Sequence, residues 1–401
     1  LSIAKSDADV YIGLVTLRPR ASIRLVGPLR RRARLPELIR HAFLSLRERR
    51  TRAPLAGGCG GGCGATIGCS GASGGLLSAR VQLRGLAGGH RQLPVPDTLG
   101  LPFVRPYLSG RSAEDFACGA NFAVGGATAL SPDEIRSRGF HDMGNQVGLD
   151  MEMKWFRCSD MMNQSLFLVG EIGGNDYNAP LLSGVPLEKI RTITPSVVAK
   201  ISSTIRIAIY DELSLQELIQ LGAKNLVVPG NLPIGCVPDY LMIFKSDKEE
   251  DYEPQTGCLR WMNEFSQYHN KLLVEELKKL RKLHPGVTII YADYYGAAME
   301  IFLHPEQYGI EHPLVACCGG EGPYGVSPTT KCGFGEYKLC DNPEKYGSWD
   351  GFHPSESAYR AIATGLLLGS YTRPSIASTT TSCPQLMELG SSAEYKPLYD
   401  L

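Results

Sequence analysis

Asp350 and His353 lie three residues apart in the glycine-containing stretch "GSWDGFHPSES", just ahead of an amphipathic run. An aspartate beside a histidine on a loop can orient the imidazole and stabilise its protonated form, as the acid and base of a catalytic triad require. A triad also needs a serine or cysteine nucleophile. The spacing alone does not establish catalysis, because the same pair occurs by chance and a histidine before Pro354 could simply belong to a turn.

Two further stretches carry groups that could stabilise a developing oxyanion. In "FLVGEIGGNDYN" an apolar run ends in two glycines followed by Asn175, whose side-chain amide could donate a hydrogen bond. In "GANFAVGGATAL" Gly126 follows a short apolar stretch and could present an unhindered backbone N–H. Each stretch also has a plain structural explanation: an Asx-type turn for the first and a strand-to-helix connection for the second.

The elements that would position these residues alternate between strand and helix. Compact apolar runs that end in glycine or polar residues are typical of strands buried on both faces, and they occur at 165–174, 224–230 and 287–295. Apolar residues at three-to-four spacing predict a helix over 261–285 and another from Pro354. This alternation predicts an α/β fold with a parallel sheet and a site at the carboxyl ends of its strands.

The amino-acid composition is that of a globular protein and gives no sign of a nucleic-acid-binding or membrane-spanning chain. The 401 residues, 43% hydrophobic and 20% charged, are normal for one large or two ordinary globular domains. Lysine plus arginine equals aspartate plus glutamate at 41 each, which gives no reason to expect a nucleic-acid or acidic-membrane partner. No apolar run reaches the roughly 20 residues of a membrane span. The short run "YIGLVTL" follows two aspartates, unlike a secretory signal.

Residues 1–94 differ in character from the rest of the chain. Nine arginines lie in residues 29–52, and ten of the nineteen residues in 57–75 are glycine. Most of this segment lacks both helical and strand periods, so we interpret it as low-complexity Arg/Gly-rich sequence that is disordered or results from a misassigned reading frame. The expected folded domain is 95–375, followed by a polar C-terminal tail over 376–401.

Four stretches, in this order, resemble the plant GDSL esterase/lipase family of the SGNH hydrolase superfamily: "GANFAVGGATAL", "FLVGEIGGNDYN", "LVVPGNLPIGCVP" and "DGFHPSESAYRAIA". The resemblance implies a flavodoxin-like α/β/α sandwich with a parallel sheet. It also implies a serine hydrolase that acts on small-molecule or polysaccharide esters and needs neither a cofactor nor a metal. By motif, Gly126 and Asn175 would form the oxyanion hole, His353 would be the general base and acid, and Asp350 would orient it.

The first block of that family, an apolar strand ending in Gly-Asp-Ser, has no match in residues 1–95. The string "GASGG" around Ser73 fits a nucleophile elbow, but the glycine-rich residues before it cannot form the strand that such an elbow needs. The nucleophile is therefore unassigned, with Ser73 a poorly supported candidate. Because the first strand is internal in a sheet of order 2-1-3-4-5, its absence would leave two bare strand edges unless another segment replaces it.

Cysteine usage indicates an extracytoplasmic protein. Seven cysteines lie in loop-like surroundings that disulfides commonly bridge: Cys236, Cys258, Cys317, Cys318, Cys332, Cys340 and Cys383. Zinc is the rival interpretation, but no C-x-x-C pair or adjacent histidine supports it there. Together with the resemblance and a glycosylation sequon at Asn163, the pattern predicts a secreted glycoprotein.

Two functions are compatible with the sequence. The first is a secreted hydrolase of short acyl esters, especially acetyl esters, of plant metabolites or cell-wall polysaccharide, impaired in this chain because the nucleophile block is missing. The second is a catalytically inert relative or a binding protein that holds acylated sugars or metabolites in the same cleft. The presence of a serine nucleophile would favour the hydrolase, and its absence would favour the inert relative or binding protein.

Overall fold

The computed structural model describes residues 11–12, 14–17, 105–107, 119–140, 147–156, 166–170, 172–205 and 223–376. The chain divides into two compact units, one made of 1–20 with 74–401 and the other of 21–73. All described residues belong to the first unit. The low-complexity and reading-frame interpretations of 1–94 therefore stay predictions, as does the assignment of the C-terminal tail.

The described strands are short, and the central ones coincide with apolar runs of the sequence. In chain order they are β1 (Tyr11–Ile12), β2 (Leu14–Leu17), β3 (Arg105–Pro106), β4 (Gly119–Asn121), β5 (Val124–Gly125), β6 (Leu166–Val169), β7 (Asn225–Pro229), β8 (Thr288–Ala292), β9 (His312–Ala316), β10 (Cys318–Gly319), β11 (Lys338–Leu339), β12 (Tyr346–Ser348) and β13 (Thr372–Arg373).

Seven of these strands form one sheet in the order β13-β8-β7-β6-β2-β4-β3. Strands β3, β4, β6, β7 and β8 all run in one direction, whereas β2 and β13 run in the other. The strands predicted at 165–174, 224–230 and 287–295 are confirmed as β6, β7 and β8, which pair in parallel. The predicted parallel sheet is therefore present, with one reversed strand inside it.

Strand β2 occupies the internal position of the family's missing first strand. It pairs antiparallel with β4 on one side and with β6 on the other, so that Val15 lies opposite both Asn121 and Leu168. Of the two alternatives, bare edges or a replacement, the structure shows a replacement, and it comes from the run "YIGLVTL". The reversed strand completes the hydrogen-bond ladder, but it does not reproduce the family's strand direction.

Helices cover both faces of the sheet. In chain order the α-helices are α1 (Pro132–Ser137), α2 (Leu149–Phe156), α3 (Gly174–Leu182), α4 (Leu187–Arg191), α5 (Thr194–Ile205), α6 (Pro238–Ile243), α7 (Arg260–Leu283), α8 (Tyr294–Leu303) and α9 (Glu356–Leu367). None of the helices in the described part of the chain combines the length and the apolar character needed to cross a lipid bilayer.

Two hydrophobic cores lie between the sheet and the helices, one on each face of the sheet. Successive strand residues point to opposite faces of a sheet. Leu226 and Val228 of β7 accordingly belong to one core, which includes buried residues of α5 and α7. Val227 belongs to the other core, with buried residues of α8 and α9. This is the α/β/α layering that the resemblance implies.

The two helices predicted from apolar spacing are confirmed as α7 and α9. Helix α7 ends at Leu283, just ahead of Pro285, and buries one apolar face that includes Phe265 and Leu273. Helix α9 begins after Ser355, whose side-chain oxygen accepts the N–H of Ala358 at 3.1 Å and caps the helix start.

Candidate active site

Asp350 and His353 contact each other in the loop between β12 and α9, which we call the 348–353 loop. His353 Nδ1 lies 2.6 Å from Asp350 Oδ2, and each side chain is 8% exposed. Asp350 Oδ1 accepts the backbone N–H groups of Phe352 at 2.9 Å and His353 at 2.8 Å. Burial raises the pKa of Asp350, but the imidazole and these N–H groups outweigh burial and hold that pKa below its usual value. An ionised carboxylate in this position can orient the imidazole and stabilise its charge.

Disulfides account for most of the predicted loop cysteines. Six of the seven form three bonds, Cys236–Cys258, Cys317–Cys340 and Cys318–Cys332. Cys383 lies outside the described residues, as does the sequon at Asn163. Within the described part of the chain, no group of three or more His, Cys, Asp or Glu side chains is arranged to hold a metal ion.

Two neighbouring half-cystines hold the 348–353 loop from one side. The N–H of Cys317 donates to the Ser348 carbonyl at 3.0 Å, and the N–H of Cys318 donates to the Trp349 carbonyl at 2.7 Å. The Trp349 N–H in turn donates to the His353 carbonyl at 2.8 Å. The disulfide-linked segment is therefore bonded directly to the backbone that carries His353.

Helix α6 holds the same loop from another side. The N–H of Asp239 donates to the Gly351 carbonyl at 2.9 Å, and Lys331 Nζ donates to both Asp239 carboxylate oxygens at 2.8 Å. Burial raises the pKa of Asp239, and the Lys331 ammonium opposes that rise. Gly351 has a φ of +92°, and a Cβ atom there would lie 2.4 Å from Val326 Cγ1, so only glycine fits.

Asn175 lies in the first turn of α3, at the carboxyl edge of the sheet after β6. Its Nδ2 atom donates to the Ala127 carbonyl at 3.0 Å, and its Oδ1 atom accepts from Asn178 Nδ2 at 3.0 Å. Ala127 directly follows Gly126, which has a φ of +74°. The structure thus brings the two predicted oxyanion donors into neighbouring segments. A side-chain amide carries two N–H donors, so Asn175 has a second one for a ligand atom.

Asp176 joins the same two segments, a role that the sequence analysis missed. Asp176 Oδ2 accepts the N–H of Ala129 at 2.8 Å, and Oδ1 accepts the N–H of Leu130 at 2.9 Å. Its burial raises the pKa to about 7, although these backbone N–H groups lower it. The only signal in the sequence was its position next to Asn175.

Tyr240 connects the two halves of the site and was also missed. Its hydroxyl donates to Asn178 Oδ1 at 2.7 Å, and its ring packs edge-on against Phe352 with centroids 5.1 Å apart. Because Asn178 donates to Asn175, a continuous path of contacts links the predicted oxyanion donor to the residue that precedes His353.

Two serines near His353 in sequence serve the local backbone structure. Ser348 Oγ donates to the His353 carbonyl at 2.9 Å and accepts the Gly351 N–H at 3.1 Å. Ser355 caps α9. Ser73 lies outside the described residues, so its assignment as a nucleophile stays a prediction.

Comparison with known proteins covers this whole arrangement from Gly126 to His353. Residues 91–366 match the family model of the GDSL-like lipase/acylhydrolases. A GDSL esterase/lipase of Arabidopsis thaliana is 43% identical over 293 residues, which span 70% of this chain and 72% of the relative. The sinapine esterase of Brassica napus is 38% identical over 294 residues, which span 70% of this chain and 73% of the relative. The chain therefore belongs to the GDSL-like lipase/acylhydrolase family and is, by family, a carboxylic ester hydrolase.

Proposed function

We propose that the site serves the hydrolysis of short acyl esters, especially acetyl esters, of plant metabolites or cell-wall polysaccharide by a secreted protein. The observation that carries this proposal is the 2.6 Å contact between His353 Nδ1 and Asp350 Oδ2. The path from Asn175 through Asn178 and Tyr240 to the 348–353 loop supports it. The name of one relative, a sinapine esterase, supports a small-molecule ester as substrate.

The proposed chemistry is that of a serine esterase. His353 takes the proton of a serine hydroxyl, and the serine oxygen attacks the ester carbonyl carbon. The tetrahedral oxyanion receives hydrogen bonds from the Asn175 amide and the Gly126 N–H. His353 then protonates the leaving alcohol, and a water molecule activated by the same imidazole releases the acid. Asp350 orients the imidazole throughout.

We also propose that the chain is impaired, because the block that supplies the serine is missing. Without the attacking group only oxyanion stabilisation and binding remain, and these retain a small part of the rate. The full chain is expected to hydrolyse 4-nitrophenyl acetate little faster than buffer does, and Ser73→Ala is expected to change nothing. Robust turnover that Ser73→Ala abolishes would overturn this proposal and make Ser73 the nucleophile.

The origin of the impairment can be tested on the nucleotide sequence. If residues 28–92 come from a shifted frame, another frame of the same stretch should encode an apolar strand of about five or six residues ending in Gly-Asp-Ser. If neither alternative frame does, the second function is favoured: an inert relative or a binding protein for acylated sugars or metabolites.

A chain with the Gly-Asp-Ser block restored tests the individual roles. His353→Ala is expected to lower the rate of 4-nitrophenyl acetate hydrolysis by several orders of magnitude, and Asn175→Ala by about 10²–10³-fold. The exposed His304 offers a matched control, since His304→Ala should leave the rate unchanged. A His353→Ala variant with near-unchanged activity would remove His353 from the mechanism.

A further inference from the structure

Asn231 is a buried polar residue at the carboxyl edge of the sheet that the proposed chemistry does not use. It follows β7, the neighbour of the strand that leads to Asn175, and it is 4% exposed. Within the described part of the chain, its hydrogen bonds all run through its backbone. The side-chain amide is therefore left for water or a ligand, and an apolar group that displaced this water would leave the amide unpaired.

The backbone of Asn231 is held on both sides by a single residue of α7. The N–H of Asn231 donates to Asn270 Oδ1 at 2.7 Å, and Asn270 Nδ2 donates to the Asn231 carbonyl at 3.0 Å. The preceding Gly230 permits this approach, since a Cβ atom there would lie 2.6 Å from the Tyr291 hydroxyl and 2.7 Å from Asn270 Oδ1. The backbone that carries the Asn231 side chain is therefore held in place before any ligand binds.

That side chain faces the glycine next to the predicted oxyanion donor. Among the described residues, a Cβ atom built on Gly174 would meet one heavy atom within 4 Å, Asn231 Oδ1 at 4.0 Å. Gly174 is partly exposed and immediately precedes Asn175. No other residue in the described ranges fills the space beside Gly174, and the Asn231 amide forms part of the wall of this space.

We propose that Asn231 binds a hydroxyl group on the alcohol portion of the ester and selects esters of hydroxylated alcohols over esters of aliphatic ones. The inference rests on the proposed ester-hydrolase function. The short acyl group has no polar substituent, and the proposed chemistry already gives the carbonyl oxygen to Asn175 and Gly126, so we assign the partner of the Asn231 amide to the alcohol portion. A side-chain amide both donates and accepts, so it matches a hydroxyl, whereas an aliphatic chain would leave it unpaired.

A binding experiment on the full chain tests this inference without any need for the nucleophile. The probes are 2-hydroxyethyl acetate and propyl acetate, which have equal numbers of non-hydrogen atoms and differ by a hydroxyl in place of a methyl. Ligand-observed NMR titration should show the hydroxylated ester binding about fivefold more tightly, as one net hydrogen bond of about 1 kcal/mol implies. Asn231→Leu should remove this preference, and Asn342→Leu, at an exposed asparagine, should keep it.

The outcomes separate this inference from the function on which it rests. Equal binding of the two esters by the unchanged chain, or a preference that survives in Asn231→Leu, overturns the inference and leaves the proposed function standing. Failure of both esters to bind contradicts the proposed function as well. The comparison in the unchanged chain requires no variant, and Asn231→Ala replaces Asn231→Leu if thermal melting shows that the leucine variant is unfolded.

Discussion

The Tyr240 hydroxyl donates to Asn178 Oδ1 at 2.7 Å and thereby joins the helix that supports the 348–353 loop to the helix that carries Asn175. Burial raises the pKa of Tyr240 well above its usual value, so the hydroxyl stays a neutral donor at any pH at which the protein would be studied. The two halves of the site are therefore fixed to each other by a contact that titration does not interrupt.

Removing this hydroxyl should destabilise the protein. Tyr240→Phe keeps the ring against Phe352 but leaves Asn178 Oδ1 without its donor, so the free energy of unfolding should fall by about 1–3 kcal/mol. Chemical denaturation measures the change. Tyr295→Phe is the matched control, because its hydroxyl accepts from Gln267 at an exposed position and its loss should cost less than about 0.5 kcal/mol. Equal losses in the two variants would contradict a special role for Tyr240.

Asp176 should make the stability of the protein depend on pH. Burial raises its pKa from 3.8 to about 7, so the folded state binds this proton more tightly than the unfolded state. The stability contributed by Asp176 is then fully present below about pH 4 and is lost as the pH rises through about 7. Asp350 has the opposite effect on the pH dependence. Its pKa is lowered in the folded state, so the stability that its ionised carboxylate contributes is lost as the solution becomes acidic.

The contribution of Asp176 is isolated by comparing denaturation curves of the unchanged chain and Asp176→Asn between pH 4 and 8. In the variant, the free energy of unfolding should no longer decline between about pH 4 and 7. It should also be less stable overall, since one backbone N–H of Ala129 or Leu130 then faces an amide NH₂ group. Asp247→Asn, at an exposed aspartate, is the control, and its free energy of unfolding should decline over this pH range as in the unchanged chain. Parallel pH profiles for all three proteins would show that Asp176 does not titrate in this range.

The Cys318–Cys332 bond should restrain the loop that carries His353. Replacing both cysteines by serine is expected to cost about 2–4 kcal/mol of stability. It should also accelerate amide hydrogen exchange at Trp349, whose carbonyl accepts the Cys318 N–H. Leu280→Ala, on the buried face of α7, provides the control, with a comparable stability loss but unchanged exchange at Trp349. Equal acceleration in both variants would indicate general loosening instead.

Strand β2 should be essential to the sheet. Thr16→Pro removes a backbone N–H from a strand with neighbours on both sides, which should cost about 1–3 kcal/mol for the lost ladder hydrogen bond and lower the melting temperature. If Thr16→Pro melts like the unchanged chain, the Leu14–Leu17 segment does not contribute to the folded state.

Strands β6, β7 and β8 could be predicted because both of their faces are buried, which requires continuous apolar runs. The Asp350–His353 contact could be predicted because its two partners are three residues apart. Strand β2 could not, since a four-residue strand is selected by the two open edges on either side of it rather than by its own pattern. The Tyr240–Asn178 bond joins residues 62 positions apart, and such contacts leave no local pattern in a sequence.

The reversal of β2 decides where a nucleophile could be introduced. Leu14 lies opposite Val169, at the carboxyl edge that leads to Asn175, and Leu17 lies opposite Leu166, at the other edge. A Gly-Asp-Ser turn grafted after Leu17, where the family order would put it, would begin at the opposite edge, about 10 Å of strand away from the edge that leads to Asn175. An active form built in the family order therefore requires a strand that runs in the opposite direction at this position. A β-sheet can pair with a strand in either direction, whereas a serine that follows the strand reaches this edge only when the strand runs parallel to β4 and β6.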